Sequence, residues 1–285
     1  MSVVTSNGVG IPFDAEHFAP LRDSTAYTAD AEALRDRYRA DGYVYLRNIL
    51  DPDRLKKLRR AYFARFDPSY LQAGTDAAEG IFSGTRPAAL GPHGTEGHPA
   101  HGFVRSQMFL DFCADPALAA LGSSVIGAPV HQLPRRILRH FDNSEPRASM
   151  AHIDRTYLDA GSDRLVTAWI PIGDCPVRTG GLIYLEGSHR LVAMDLERLR
   201  SRRDPNEDHR PLSHDLAWVS SRAGRRWLFA DFTAGDVVVH SPHIVHASLD
   251  TTTGAMRLSA DLRFVALGER QDPRWQQAWA GDDGN

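Results

Sequence analysis

The triplet His152-Ile153-Asp154 and the distant His246 constrain this chain more than any other feature. On an extended segment, residues two apart project to the same face, so His152 and Asp154 can address one point in space. A third ligand from His246 then requires two remote segments to lie side by side. Two imidazoles and one carboxylate occupy one face of an octahedral divalent metal and leave the other face open for chemistry.

The surroundings of His246 support a buried location. Gly235-Asp236 reads as a tight turn that opens the apolar run Val237-Val238-Val239-His240, and Ser241-Pro242 breaks it before Ile244-Val245-His246-Ala247-Ser248. His240 is an alternative third ligand, although strand alternation and the following Ala-Ser favour His246. Thr251-Thr252-Thr253-Gly254 then links into a further strand, 256–264, along which Arg257 or Arg263 faces the interior. A 2-His-1-carboxylate set with open positions is the pattern of a non-haem Fe(II) oxygenase, in which the metal takes a bidentate 2-oxo acid and dioxygen.

With these motifs in their order, the chain resembles the phytanoyl-CoA dioxygenase family of Fe(II)/2-oxoglutarate oxygenases. The resemblance runs from Asp41-Gly42-Tyr43-Val44-Tyr45-Leu46, through Ala151-His152-Ile153-Asp154 and Gly180-Gly181-Leu182-Ile183-Tyr184-Leu185-Glu186-Gly187-Ser188-His189, to Gly235-Asp236, His246-Ala247-Ser248 and Arg257. It implies a mainly β fold with flanking helices, built on a double-stranded β-helix, the jelly-roll or cupin-like core. It implies His152, Asp154 and His246 as iron ligands, and Arg257 as the partner of the distal carboxylate of 2-oxoglutarate. A planar guanidinium suits that task because it grips a carboxylate with two parallel N–H donors. Ser248 and Trp169 fall where the family lines its co-substrate pocket. The implied cofactors are Fe(II), 2-oxoglutarate and O2.

A chain of 285 residues can bury one sizeable core, and one domain is expected, with a helical part over 1–129 and the jelly-roll over 130–270. The net charge of −3 and pI near 6.5 exclude a general nucleic-acid binder. Two cysteines, Cys113 and Cys175, make no disulfide framework and read as buried free thiols. The start lacks a basic segment with an apolar core, and no uncharged apolar run of membrane-spanning length is read, so a soluble cytoplasmic protein is expected. Helices are predicted over 30–40, where Leu34 and Tyr38 are four apart, from Asp51-Pro52, and from Asp115-Pro116 to Gly127, the last two opened by an aspartate at the cap position. Two irregular segments, 74–101 and 191–226, read as lids or loops. The small residues Gly180, Gly181 and Gly187 answer demands of backbone geometry.

The basic run from His131 to His140 is unusual for a half-buried strand. Alternation puts Arg135, Ile137 and Arg139 on one face and Arg136, Leu138 and His140 on the other. A solvent face paired to carboxylates is the plainer reading, and a grip on an anionic or hydroxylated substrate the functional one. On the latter, Arg136 and Arg139, with Arg155 and Tyr157 beyond the triplet, are the candidate substrate-binding residues.

The expected reaction is hydroxylation of a C–H bond of a small, polar or anionic metabolite, with release of succinate and carbon dioxide. The alternative is desaturation, cyclisation or epimerisation with the same cofactors. Related halogenases carry a small residue at the position of Asp154, so the carboxylate here argues for oxygen transfer. A catalytically silent jelly-roll binding module is disfavoured because His152, Asp154, His246 and Arg257 are all present. Nothing in the sequence marks a coenzyme A site.

Overall fold

The computed structural model describes residues 2–91, 93–201 and 208–279. In chain order the elements are β1 (Val3–Ser6), β2 (Val9–Pro12), β3 (Phe18–Pro20), α1 (Ala31–Asp41), β4 (Tyr43–Leu46), α2 (Pro52–Phe63), α3 (Pro99–Phe103), α4 (Gln107–Cys113) and α5 (Pro116–Ile126). There follow β5 (Val130–Gln132), β6 (Ile137–Phe141), β7 (Leu165–Pro171), β8 (Leu182–Leu185), α6 (Ala193–Arg198), α7 (Leu216–Ala223), β9 (Trp227–Phe229), β10 (Val237–His240), β11 (His246–Ser248) and β12 (Arg257–Ala266).

The helices begin where capping chemistry dictates. Asp30, Asp51 and Asp115 each accept hydrogen bonds from backbone N–H groups of the following turn, and Pro52 and Pro116 sit in first turns where no amide donor is needed. Gly42 ends α1 in the left-handed conformation, and the chain turns directly into β4.

Two sheets face each other. The larger has the order β4-β10-β7-β12-β5, with β6 also paired to β12, and the smaller has the order β11-β8-β9-β3. β12 is the long central strand: one edge pairs with β7 from Ser259 to Val265, and the other takes β6 at its start and β5 at its end. Its alternation is buried on both faces. Leu258, Ala260, Leu262 and Phe264 join Val166, Ala168, Ile170, Val237 and Val239 in the core shared with α2, α4 and α5. Arg257, Ser259, Asp261 and Arg263 therefore face the opposite way, into the space between the sheets. On the outer side of the smaller sheet, Ile183, Leu185, Trp227, Val245 and Ala247 pack with Leu216 and Val219 of α7.

Several expectations from the sequence meet a more detailed reality. The expected boundary near residue 129 is crossed, because β3 joins the smaller sheet and β4 forms the edge of the larger one. The basic run 131–140 is two strands, since Pro134 interrupts the ladder. Its second half places Ile137, Arg139 and Phe141 toward the interior cavity, and Leu138 and His140 toward the helical layer, where His140 Nδ1 meets the Tyr62 hydroxyl at 3.0 Å. Neither face is a solvent face. Cys113 and Cys175 are buried and free. The stretch Gln107–Ile126 has the length and apolar composition to cross a membrane, which the sequence reading had not registered. It is two helices broken at Asp115-Pro116, with Phe109, Phe112, Leu118 and Val125 in the shared core.

Arg59 on α2 fastens the helical layer to the sheet. Its side chain is 5% exposed and donates to four main-chain carbonyls: Ala78 (2.8 Å), Ile172 (3.0 Å), Glu79 (3.1 Å) and Met256 (2.6 Å). Burial pushes its pKa down to about 10, and no carboxylate pairs with it among the described residues. The carbonyl dipoles substitute for a counter-ion. We expect Arg59→Met, which keeps the bulk and removes the donors, to cost about 3–5 kcal/mol in folding stability, the range for breaking a buried charged network. Calorimetric unfolding measures it, and a loss below about 1 kcal/mol would mean that the carbonyls find other partners.

Candidate metal and co-substrate site

The segments carrying His152 and His246 are joined through their main chains. His152 N donates to the His246 carbonyl (3.0 Å) and His246 N to the His152 carbonyl (2.9 Å), the reciprocal pair of an antiparallel bridge. The two rings consequently lie 4.2 Å apart. Ile153 is extended and Asp154 opens a 3-10 turn to Tyr157, which brings the carboxylate back beneath the rings. Asp154 Oδ1 is 3.9 Å from His152 Nε2 and 3.8 Å from His246 Nε2. Ligand atoms of these three residues all lie within 4.8 Å of one another, and all three side chains are buried.

The donor chemistry fits a divalent metal. His152 Nδ1 meets the Met150 carbonyl at 2.7 Å and His246 Nδ1 meets the Ile244 carbonyl at 3.0 Å. A carbonyl can only accept, so each Nδ1 carries the proton and each Nε2 turns its lone pair inward. Burial lowers the pKa of both imidazoles, only partly offset by Asp154, and keeps them neutral. Burial alone would raise the pKa of Asp154, but the Arg263 guanidinium, His240 and His246 outweigh it and hold the carboxyl well below its usual range. Neutral imidazoles and an ionised carboxylate are the states that metal ligation requires.

Asp154 Oδ2 is occupied from the far side. Thr167 Oγ1 donates to it at 2.5 Å and His240 Nε2 lies 3.5 Å away, while Arg263 Nη2 spans both oxygens, 3.4 Å from Oδ2 and 3.3 Å from Oδ1. His240, the alternative ligand on sequence grounds, thus sits behind the carboxylate, with Nδ1 3.2 Å from the Tyr184 hydroxyl. The cluster of convergent ligand atoms is His152, Asp154 and His246.

Beyond the triad runs a strip of buried donors with nothing to bind. Arg257 is 1% exposed, has no carboxylate partner among the described residues, and lies over the Phe141 ring at 4.1 Å. Its Nη1 donates to the Gly180 carbonyl, while Nε and Nη2 have no hydrogen-bond partner. Those two atoms form the edge that grips a carboxylate with two parallel bonds. Ser259 Oγ and Trp169 Nε1 are also buried and unpartnered. An unpaired buried donor costs roughly 1–3 kcal/mol, so such a row marks a place prepared for acceptor atoms. Gly180 holds its carbonyl under Arg257 at φ 85°, where an added Cβ would come 2.7 Å from the Leu249 carbonyl oxygen. Ser248 faces the same interior as His246, and its hydroxyl accepts from Ser149 N at 2.8 Å.

In front of His152 opens a cavity of about 410 Å³, lined by Arg139, Phe141, Tyr157, Arg263 and Trp275 among others. Two of the four candidate substrate residues, Arg139 and Tyr157, are on this wall. Arg136 is not: it lies in the break between β5 and β6, and its Nε is engaged by Gln132 (2.7 Å), whose amide donates to the Cys113 carbonyl of α4. Arg155 is also drawn away, bonded to the Leu158 and Gly161 carbonyls and to Asp163 at 2.9 Å. Of the two irregular segments, 191–226 supplies Asp208, Arg210 and Pro211 to the cavity, whereas 74–101 supplies none of its lining. The charged residues 202–205 lie outside the described residues. Thr167, Ser259 and Arg147 were missed in the sequence. For Ser259 the signal was available, since it shares the β12 face of Arg257; Thr167 needed the register of β7 against β12.

A sequence model of the family described as phytanoyl-CoA dioxygenase (PhyH) matches residues 38–259. A 1-deoxypentalenic acid 11-beta-hydroxylase from Streptomyces arenae is 26% identical over 258 residues, covering 87% of this chain and 85% of that protein. Among solved structures, the epimerase SnoN from nogalamycin biosynthesis, in complex with Fe3+, alpha ketoglutarate and nogalamycin RO, superimposes with a TM-score of 0.59 at 21% identity, over 86% of this chain and 87% of its own. EctD from S. alaskensis with bound Fe gives 0.58 at 18% identity, over 96% and 90%. By its sequence match and its two-sheet architecture, the chain belongs to the phytanoyl-CoA dioxygenase (PhyH) family of Fe(II)- and 2-oxoglutarate-dependent oxygenases.

Proposed function

We propose that this protein hydroxylates a C–H bond of a small molecule, with Fe(II) held by His152, Asp154 and His246 and 2-oxoglutarate held by Arg257. The observation that carries the reading is the buried Nε–Nη2 edge of Arg257, unpartnered at the end of a donor strip that starts at a ligand-ready triad. When bound, iron with the 2-oxo acid and dioxygen supplies the oxidising power, and succinate and carbon dioxide leave as co-products.

The chain's own contribution is orientation and shielding. Arg257 fixes the distal carboxylate of the co-substrate, with Ser259, Ser248 and the Trp169 N–H along the strip available to its remaining oxygens. Thr167 holds Asp154 by Oδ2, so that Oδ1 turns toward the metal position, and Arg263 Nη2 neutralises the carboxylate from both oxygens. Tyr157, Phe141 and Trp275 form the apolar part of the wall that keeps water from the reacting carbon. Arg139 and Tyr157 are the candidate substrate contacts that reach this wall.

The Streptomyces relative, a hydroxylase of a small organic acid by name, supports hydroxylation. The likeness to SnoN supports epimerisation as a second reading, since the same donor set serves both outcomes. Product analysis by mass separates them: hydroxylation adds one oxygen and epimerisation leaves the mass unchanged.

Anaerobic titration of the purified protein with Fe(II) and then 2-oxoglutarate tests the co-substrate assignment. We expect the weak visible charge-transfer band of a chelated 2-oxo acid, and Arg257→Met to weaken 2-oxoglutarate binding by roughly 2–5 kcal/mol, the range for losing a buried charge partner. Iron binding without the band would remove Arg257 from this role. Thr167→Val should lower Fe(II) affinity about 10–100-fold, the usual effect of losing a partner of a ligand. Unchanged affinity would mean that Asp154 is positioned by Arg263 and the backbone alone.

A further inference from the structure

Four arginines, Arg139, Arg147, Arg210 and Arg263, line the cavity in front of His152, against one acidic lining residue, Asp208. They are not equivalent. Arg139 Nε is paired to Asp261 at 2.7 Å, and Arg210 Nε to Asp208 at 2.9 Å while its guanidinium lies over the Tyr157 ring at 4.5 Å. Arg263 is 3% exposed, gives Nη2 to Asp154 and lies over the Trp275 ring at 4.5 Å, leaving Nε and Nη1 without a hydrogen-bond partner. Arg147, exposed at the cavity mouth, makes no hydrogen bond or ion pair among the described residues. Ser149 and His152 add polar atoms to the wall, and its apolar and aromatic part is Ile137, Phe141, Met150, Tyr157, Pro211 and Trp275, with Ala148.

We propose that this cavity selects substrates carrying a carboxylate or similar acidic group on a compact apolar skeleton, with Arg263 from the inner wall and Arg147 from the mouth binding the acid. This rests on the reading of the site as an Fe(II)/2-oxoglutarate hydroxylase. Each arginine has a distinct reason to be there. A buried guanidinium with two idle N–H groups recovers their desolvation cost only when an acceptor arrives, and an anion recovers most. An exposed arginine with no carboxylate to hold loses little on meeting one, and its long-range field favours entry of anions. The skeleton then lies on the Phe141, Tyr157 and Trp275 rings, with one C–H directed past His152. A volume of about 410 Å³ admits a small polycyclic or branched acid. Arg257 stays committed to the co-substrate, so the two acids are sorted by separate guanidinia.

The test uses a matched pair of probes, 1-adamantanecarboxylate and 1-adamantanecarboxamide, which share shape and differ in charge. Binding to the protein loaded anaerobically with Fe(II) and 2-oxoglutarate is followed by calorimetry, after the charge-transfer band has verified loading. We expect the acid to bind at least tenfold more tightly than the amide, with the preference reduced at least fivefold in Arg147→Gln, kept in Arg147→Lys and weakened by added salt. Equal affinities, binding of neither probe, or a preference untouched by Arg147→Gln would overturn the proposal while leaving the hydroxylase reading intact. Absence of the band in the unmodified protein would instead remove the hydroxylase reading on which it depends.

Discussion

An ionised carboxylate buried between two sheets is the constraint on which this structure turns. Asp154 is 3% exposed, and a lone carboxylate at such a depth would have to take up a proton or be neutralised. Arg263 Nη2 supplies the counter-charge across both oxygens, and Thr167 and His240 crowd Oδ2. The result is directional, because Thr167 and His240 lie on the Oδ2 side while Oδ1 faces two imidazole nitrogens whose tautomers are fixed by main-chain carbonyls. The metal position is therefore defined by hydrogen bonds that the protein makes to itself.

β12 organises the rest. Both of its faces are buried, which is uncommon for a strand carrying two arginines and an aspartate. Its outward residues knit the sheet to the helices, while its inward residues, Arg257, Ser259, Asp261 and Arg263, run along one face in order from the unpartnered Arg257 donors to the triad. Because side chains alternate strictly, a one-residue slip in pairing with β7 would exchange this polar row for Leu258, Ala260 and Leu262 and lose the core and the site together. The same register that packs the protein specifies its chemistry.

Much of this was legible in the sequence. The spacing in His152-Ile153-Asp154 gave two of the converging groups, the Asp-Pro pairs gave helix starts, and the turn before Val237 gave the strand preceding His246. The choice between His240 and His246 depended on which residue lies opposite His152, a pairing between remote segments. The fate of the basic run was hidden for another reason: Pro134 breaks the strand, so Arg136 belongs to a different ladder environment from Arg139. Arg155 was misleading because loop carbonyls, invisible in composition, claim its donors. Thr167 and Arg147 carry no motif and acquire meaning only through what they face.

Arg59 bears on how separable the parts of this protein are. By holding the Met256 carbonyl it reaches the residue immediately before Arg257, so a helix outside the sheets sets the height at which the row of unpartnered donors begins. The N-terminal region also supplies β4, which covers one edge of β10. A fragment beginning at β5 would expose that edge as an unpaired template for aggregation and would lack the clamp on Met256. The helical layer is thus a structural member of the barrel, and any permutation, fusion or trimming of the chain that respects only the jelly-roll would cut through its supports.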